Sequence, residues 1–81
     1  MTPVEVEAKV RSILSGKLDA APDKVVLSAR LVEDLGMDSF KAIEMVFELE
    51  DVFNLKIPDE DIASAVRVQD IVDYILKKVK P

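Results

Sequence analysis

The stretch Glu33-Asp34-Leu35-Gly36-Met37-Asp38-Ser39-Phe40 joins a loop to the longest amphipathic segment of the chain, which predicts a helix over Ser39–Phe53. Gly36 permits a backbone turn that other residues resist. Asp38 is a residue type favoured at the N-cap, so Ser39 falls at the first helical position. The first N–H groups of a helix lack intrahelical partners and lie at the positive end of its dipole. A phosphate attached to Ser39 would therefore be well placed.

The same stretch also has an ordinary interpretation. An Asp-Ser pair before an apolar-periodic run is a common helix start, and most such serines only help to begin the helix. The rest of the chain has to decide between the two interpretations.

Upstream of this stretch, the N-terminal residues predict helix 1. Thr2 can cap it, Pro3 suits its first position, and Glu5 completes a capping box. Because Gly16 weakens a helix, we expect helix 1 to run from Pro3 to about Ser15, with fraying towards Leu18. Apolar residues at helical spacing predict its buried stripe: Val6, Val10, Ile13 and Leu14.

Residues 19–35 predict a long connection between helices 1 and 2. Ala21-Pro22-Asp23 interrupts any helix, and Val25-Val26-Leu27 has the composition of a strand with no second strand to pair with. We expect a loop with short turns, held to the core by four apolar side chains: Val25, Leu27, Leu31 and Leu35.

Helix 2, over Ser39–Phe53, combines two patterns. Its buried face is predicted to hold Ile43, Val46, Leu49 and Phe53, with Ala42 and Glu50 on the flanks. Its remaining surface carries two aromatic residues among acids: Phe40, Glu44, Phe47, Glu48 and Asp51. An apolar anchor within a charged rim suits docking. The alternative, that Phe40 or Phe47 packs against the long loop, is equally open at this stage.

The C-terminal third predicts two more helices. Asn54 tolerates the left-handed conformation that ends helices, and Pro58 begins a new turn whose first residues, Asp59-Glu60-Asp61, are acidic. The central Gly and final Glu of a calcium loop are missing, so we predict no metal site. A short helix 3 is expected over Ile62–Ala65, and helix 4 over Val68–Lys78. The buried stripe of helix 4 is Val68, Ile71, Val72, Ile75 and Val79.

Together these elements predict one all-α domain over residues 1–81. It is a small four-helix bundle, with three longer helices, one short helix, and a long loop between helices 1 and 2. With 49% hydrophobic residues, a chain of this length can bury one core without disulfides.

Composition excludes several classes of function. The chain has no cysteine and no histidine, so it lacks disulfides, thiolate metal sites and the usual general base. An enzyme is disfavoured, because no histidine can activate Ser39 and Lys41 lies on a different helical face.

No apolar run is long enough to span a bilayer and no signal peptide opens the chain, so we expect a soluble, cytoplasmic protein.

The charge is unevenly distributed. The formal net charge is −5, yet residues 33–61 contain ten acids and two bases, a charge of −8. Such an acidic middle disfavours nucleic acid, whose phosphates need Lys and Arg. It favours basic protein partners that are steered by charge, although a merely solvated charged face remains the simpler alternative.

The whole pattern resembles the acyl carrier proteins, the small phosphopantetheine-bearing domains of fatty-acid and polyketide synthesis. The strongest part is Glu33-Asp34-Leu35-Gly36-Met37-Asp38-Ser39. The resemblance continues through Ile43-Glu44, residues 49–53, Ile57-Pro58-Asp59-Glu60-Asp61 and residues 68–75. It covers nearly the whole chain, and the combination of motif, spacing and acidic helical character is highly specific.

The resemblance implies that Ser39 carries a covalent 4'-phosphopantetheine arm, which a phosphopantetheinyl transferase attaches from coenzyme A. It implies that the thiol of the arm holds acyl groups as thioesters, and that Asp38 helps to position the metal ion of the transferase complex. Glu44, Glu50 and Asp51 match helix-2 acids that meet basic patches on acyl-processing enzymes. The protein is expected to act as a monomer with no catalytic residue of its own.

The sequence departs from the family pattern at four places. Phe40 replaces a usual Leu after the serine, and Lys41 weakens the acidic edge near the arm. Asn54 replaces a frequent Gly, and Val66-Arg67 stands where a Thr pair often caps helix 4. These departures concern the choice of partner more than the modification.

Two further functions stay open from the sequence. The chain could carry a peptidyl, aryl or D-alanyl cargo on the same arm. Alternatively, it could be an unmodified interaction module in which Ser39 only begins a helix and the acidic helix 2 docks a partner.

The charge count generates a first prediction. Because the −8 segment repels itself at low ionic strength, added salt or millimolar divalent cation should raise the melting temperature. Thermal unfolding followed by circular dichroism across a salt titration measures this. A melting temperature that stays flat across the titration would contradict the prediction.

Overall fold

The structure, a computed structural model, describes residues 2–79. In that range four α-helices follow one another: α1 (Pro3–Leu18), α2 (Ser39–Phe53), α3 (Asp59–Ala63) and α4 (Val68–Lys78). A 3-10 turn, Pro22–Lys24, interrupts the long connection between α1 and α2. Residues 2–79 contain no strand, only an isolated antiparallel bridge between Arg30 and Arg67. The predicted all-α fold with its long first loop is confirmed.

Helix α1 begins as the sequence predicts but ends later. The Thr2 hydroxyl accepts from the Glu5 N–H at 3.2 Å, and the Glu5 carboxylate accepts from the Thr2 N–H at 2.9 Å. The expected end near Ser15 is wrong, because the helix continues through Gly16 to Leu18. Leu18 is buried, and packing of this kind outweighs the low helix propensity of one glycine.

Helix α2 has the predicted bounds, but its buried face is rotated from the predicted one. Met45 and Leu49 are fully buried, whereas Ile43, which was predicted to face the core, is 52% exposed. Residues two apart point about 200° apart around a helix, so Ile43 and Met45 cannot share one face. Since Met45 is fully buried in the shared core, Ile43 on the opposite side of the helix points outward.

One apolar core joins all four helices and the long loop. The predicted loop anchors Val25, Leu31 and Leu35 are buried, while Leu27 is only partly buried. The helical part of this core consists of Val6, Val10, Leu14, Leu18, Met45, Val46, Leu49, Phe53, Ile62, Val68, Ile71, Val72 and Ile75. The predicted stripes of α1 and α4 are therefore confirmed except for Ile13 and Val79, which are partly buried.

Helix α3 starts earlier than the sequence predicts. It runs over Asp59–Ala63 instead of Ile62–Ala65, because the extended backbone of Pro58 serves as its N-cap. The Tyr74 hydroxyl of α4 donates to the Asp61 carboxylate at 2.6 Å and ties the two helices together. Burial of the phenol, followed by its bond to Asp61, raises the pKa of Tyr74 to about 12.

The start of α4, where the sequence offers no hydroxyl cap, is held by the carboxylate of Asp70. The Asp70 carboxylate reaches back and accepts from the backbone N–H groups of Val66 and Arg67, at 2.9 and 3.0 Å. The bond from Arg67, then that from Val66, holds the pKa of Asp70 below its usual value. This first-turn carboxylate thus satisfies the two backbone N–H groups just before the helix, the part that the acid of a capping box plays.

The long loop supplies further partners to the same helix start. The carbonyls of Ala29 and Leu27 accept from the N–H groups of Val68 and Gln69, at 3.0 and 2.9 Å. In return, the Leu31 N–H donates to the Val66 carbonyl at 2.8 Å. These bonds attach the loop to α4.

Among the described residues, none of the helices combines the length and apolarity needed to cross a membrane.

The two glycines form a matched pair for a test of this fold. Gly36 has a φ of +71°, whereas Gly16 lies inside α1, and a Cβ at either position would meet nothing within 4 Å. Gly16→Ala should stabilise the protein by about 0.5–1 kcal/mol, because alanine is the better helix former. Gly36→Ala should destabilise it by about 1 kcal/mol, because a Cβ disfavours positive φ.

Urea unfolding of both variants measures the two effects. Since neither site is crowded, opposite signs can come only from backbone conformation. Equal shifts in the same direction would show that the turn at residue 36 does not need a glycine.

Candidate functional site

The long loop places the segment before α2 in a fixed position. Leu31 and Leu35 are buried, so the turn between them lies against the core. The Gly36 N–H donates to the Val32 carbonyl at 3.0 Å, and the Met37 N–H donates to the Leu31 carbonyl at 2.9 Å. The chain therefore enters α2 from a turn held by both packing and hydrogen bonds.

An exposed polar network of Arg30, Asp34 and Glu33 also stabilises this turn. The Asp34 carboxylate accepts from the Arg30 N–H at 2.8 Å, and the Arg30 guanidinium lies 3.5 Å from that carboxylate. The backbone bond from Arg30, then the side-chain bond, keeps the pKa of Asp34 below its usual value. The Glu33 carboxylate, 3.8 Å from the Arg30 guanidinium, is an exposed partner of the same cation.

Asp38 and Ser39 form the N-terminus of α2 as the sequence predicts. Asp38 has extended backbone angles, φ −131° and ψ −178°, and its carboxylate accepts from the Lys41 N–H at 2.8 Å. Its own carbonyl accepts from the Ala42 N–H at 2.9 Å. Ser39 is the first helical residue and is exposed. The serine thus lies at a capped helix end, exposed to solvent and at the positive end of the helix dipole.

The outer face of α2 exposes its aromatic residues. Phe40 is 70% exposed and Phe47 is 66% exposed. The alternative in which either ring packs against the long loop is therefore wrong. Ile43, which was predicted to be buried, joins them at 52% exposure, and the three residues follow the helical spacing i, i+3, i+7.

The acids of α2 differ in what their side chains do. Glu44 and Glu48 are half-buried and Asp51 is exposed, and the Glu48 carboxylate lies 3.8 Å from the Lys17 ammonium of α1. Glu50 is occupied, because its carboxylate accepts from the Ile57 N–H at 2.8 Å in a partly buried bond. The structure thus brings Glu44, Glu48 and Asp51 to the outer face and ties Glu50 to the loop after α2.

Sequence reasoning missed Ile43 as part of this outer surface. The signal was present, since Phe40, Ile43 and Phe47 make a second apolar row at helical spacing. Two apolar rows on opposite sides of one helix cannot both be buried in a small bundle, and only the tertiary structure shows which row is buried. Within residues 2–79, three or more acidic side chains do not come together in a way that could hold a metal ion.

The site's residues fall inside a match to a known family. A family model described as "Phosphopantetheine attachment site" matches residues 8–75 of the chain. A protein named "Acyl carrier protein" from Bdellovibrio bacteriovorus is 41% identical over 75 residues, which cover 93% of this chain and 96% of that protein.

Two further proteins of the same name are similar over almost their full lengths. The one from Thermosynechococcus vestitus is 39% identical over 79 residues, which cover 98% of each chain. The one from Chlorobium phaeovibrioides is 38% identical over 78 residues, which cover 96% of this chain and all of that protein.

The cap of α2 can be tested apart from any function. Asp38→Ala should lower the free energy of unfolding by about 1 kcal/mol, because the Lys41 N–H loses its side-chain acceptor. Asp38→Asn should cost much less, since an amide oxygen accepts the same bond. Urea unfolding measures both, with the exposed Asp51→Ala as a control expected within about 0.5 kcal/mol of wild type. An Asn variant as unstable as the Ala variant would show that charge, not capping, matters at residue 38.

Proposed function

The chain belongs to the acyl carrier protein family, and on that premise we propose that Ser39 is the residue that receives 4'-phosphopantetheine from coenzyme A. The observation that carries this proposal is the exposed position of Ser39 at the first turn of a helix that the Asp38 carboxylate caps. Ser39 also lies within the matched residues 8–75. The arm, when bound, supplies a thiol that holds acyl groups as thioesters.

The chain's own residues fit a phosphodiester at this place. The N-terminus of α2 presents backbone N–H groups and the positive end of its dipole towards an anion on Ser39. The turn at Gly36 and the buried Leu35 fix the direction in which α2 begins. An exposed hydroxyl can enter the active site of a transferase while the bundle behind it stays folded.

Besides capping α2, Asp38 has a second role in this proposal. One of its carboxylate oxygens accepts the Lys41 N–H, and a carboxylate has further lone pairs to offer. We assign these to the metal ion of the transferase complex. The dual use explains why an acid, and not only a capping hydroxyl, stands before the serine.

The proposed partners after modification are acyl-processing enzymes with basic docking patches. Phe40, Phe47, Glu44, Glu48 and Asp51 are available on the outer face of α2 for such contacts. Glu50 is available only in part, since the Ile57 N–H already uses its carboxylate. We propose a carrier without catalytic residues, because Ser39 has no histidine to activate it, and a monomer that works in the cytoplasm.

The proposal is tested by attachment of the arm in vitro. The full chain is incubated with coenzyme A, magnesium and a phosphopantetheinyl transferase of broad specificity, and its intact mass is measured. Wild type should gain the mass of phosphopantetheine at Ser39, Ser39→Ala should gain nothing, and Ser12→Ala, at an exposed serine of α1, should behave as wild type. A wild type that gains no mass, or a Ser39→Ala variant that does, would refute the assignment.

A further inference from the structure

Two arginines face each other where the long loop meets the start of α4. Arg30 and Arg67 form the isolated antiparallel bridge, and the backbone hydrogen bonds lie one residue to either side of them, from 31 to 66 and from 68 to 29. In a pair flanked in this way the opposing Cα atoms come to about 4.5 Å and the two side chains share one face. Like charges placed directly opposite each other destabilise the pairing.

Asp34 supplies negative charge to both arginines. Its carboxylate accepts from the Arg30 N–H at 2.8 Å and lies 3.5 Å from two nitrogens of the Arg30 guanidinium. The bond from the Arg30 N–H does most to lower the pKa of Asp34, and the charge of Arg67 lowers it further. A cation has this effect only when it is close, so Arg67 also lies in the field of this carboxylate.

The Arg67 guanidinium is held by the loop backbone and not by an acid. It donates to the Ser28 carbonyl at 2.6 Å, and within residues 2–79 no carboxylate lies within 4.0 Å of it. Glu33 is an ion-pair partner of Arg30 alone, at 3.8 Å. The acid that acts on both facing charges is therefore Asp34.

We propose that Asp34, Arg30 and Arg67 form a charge-operated clasp. The carboxylate of Asp34 offsets the repulsion between the facing arginines, and without its charge the loop separates more readily from the start of α4. This conformational device goes beyond the proposed function and does not depend on it, because it belongs to the chain without the arm.

The clasp acts on the segment that leads to Ser39. The Leu31 N–H donates to the Val66 carbonyl at 2.8 Å, and the Leu31 carbonyl accepts from the Met37 N–H at 2.9 Å. Residue 31 thus links the junction with α4 to the turn just before α2. Opening of the clasp therefore frees the residues before the serine, while α2 itself keeps the cap that Asp38 provides.

Hydrogen exchange measures the opening directly. Three backbone amides report on the clasp, because their N–H groups bond the loop to α4: Leu31, Val68 and Gln69. Asp34→Asn removes the charge but leaves an oxygen to accept the Arg30 N–H. Exchange of these amides should become about fivefold faster, because the repulsion of the arginines is no longer offset. The matched control Glu33→Gln removes the same charge one residue away and should change exchange by less than about twofold.

The second arm of the test removes the facing charge. In an Arg67→Gln background, Asp34→Asn should change exchange of the same amides by less than about twofold relative to Arg67→Gln alone. Amides of α1 serve as the reference, since global destabilisation accelerates them as well. Asp34→Ser, which also keeps an oxygen acceptor, replaces the Asn variant if that variant does not fold.

Three results would overturn the clasp. They are unchanged exchange in Asp34→Asn, equal acceleration in α1, and an Asp34→Asn effect that is as large without Arg67 as with it. The last result would mean that Asp34 acts only as a partner of Arg30. Because the measurement uses the unmodified chain, failure of Ser39 to receive the arm leaves this inference standing, and refutation of the clasp leaves the role of Ser39 untouched.

Discussion

The hydrogen bonds between the long loop and the start of α4 are the constraint on which the site depends. The first turn of a helix has N–H groups without intrahelical partners. Two of those in α4 donate to the carbonyls of Leu27 and Ala29. This pairing holds a connection of about twenty residues across the bundle. Because the loop cannot shift without unsatisfying these groups, the turn at Gly36 and the serine after it keep a fixed place.

The same constraint explains why so short a chain can carry a long loop. The loop contributes Val25, Leu31 and Leu35 to the apolar core that the helices share. It therefore packs on the core beside α1, α2 and α4. Arg67 adds to the attachment, since its guanidinium donates to the Ser28 carbonyl at 2.6 Å. The loop is thus attached to the bundle by both packing and hydrogen bonds, while the serine itself remains in solvent.

The two faces of helix α2 differ in burial and in residue type. Its inner face contributes Met45, Val46, Leu49 and Phe53 to the core, and its outer face leaves Phe40, Ile43 and Phe47 in water. Exposed apolar side chains contribute little to folding and favour association. The acids beside them keep the surface hydrated and disfavour unspecific contacts with other acidic proteins.

The sequence by itself determined the starts of α1, α2 and α4, the single loop between α1 and α2, and the place of Ser39, because capping residues, proline and positive-φ positions act locally. Thr2, Asp38, Gly36 and Asn54 all behave as their residue types predict. Only the tertiary structure decided which apolar row of α2 is buried, since Ile43 and Met45 belong to competing rows and the shared core takes the row of Met45. It also decided that α1 continues past Gly16, that the Glu50 carboxylate bonds the Ile57 N–H, and that the loop carbonyls of Leu27 and Ala29 accept from the first N–H groups of α4. These features follow from packing or from partners that no local pattern reveals.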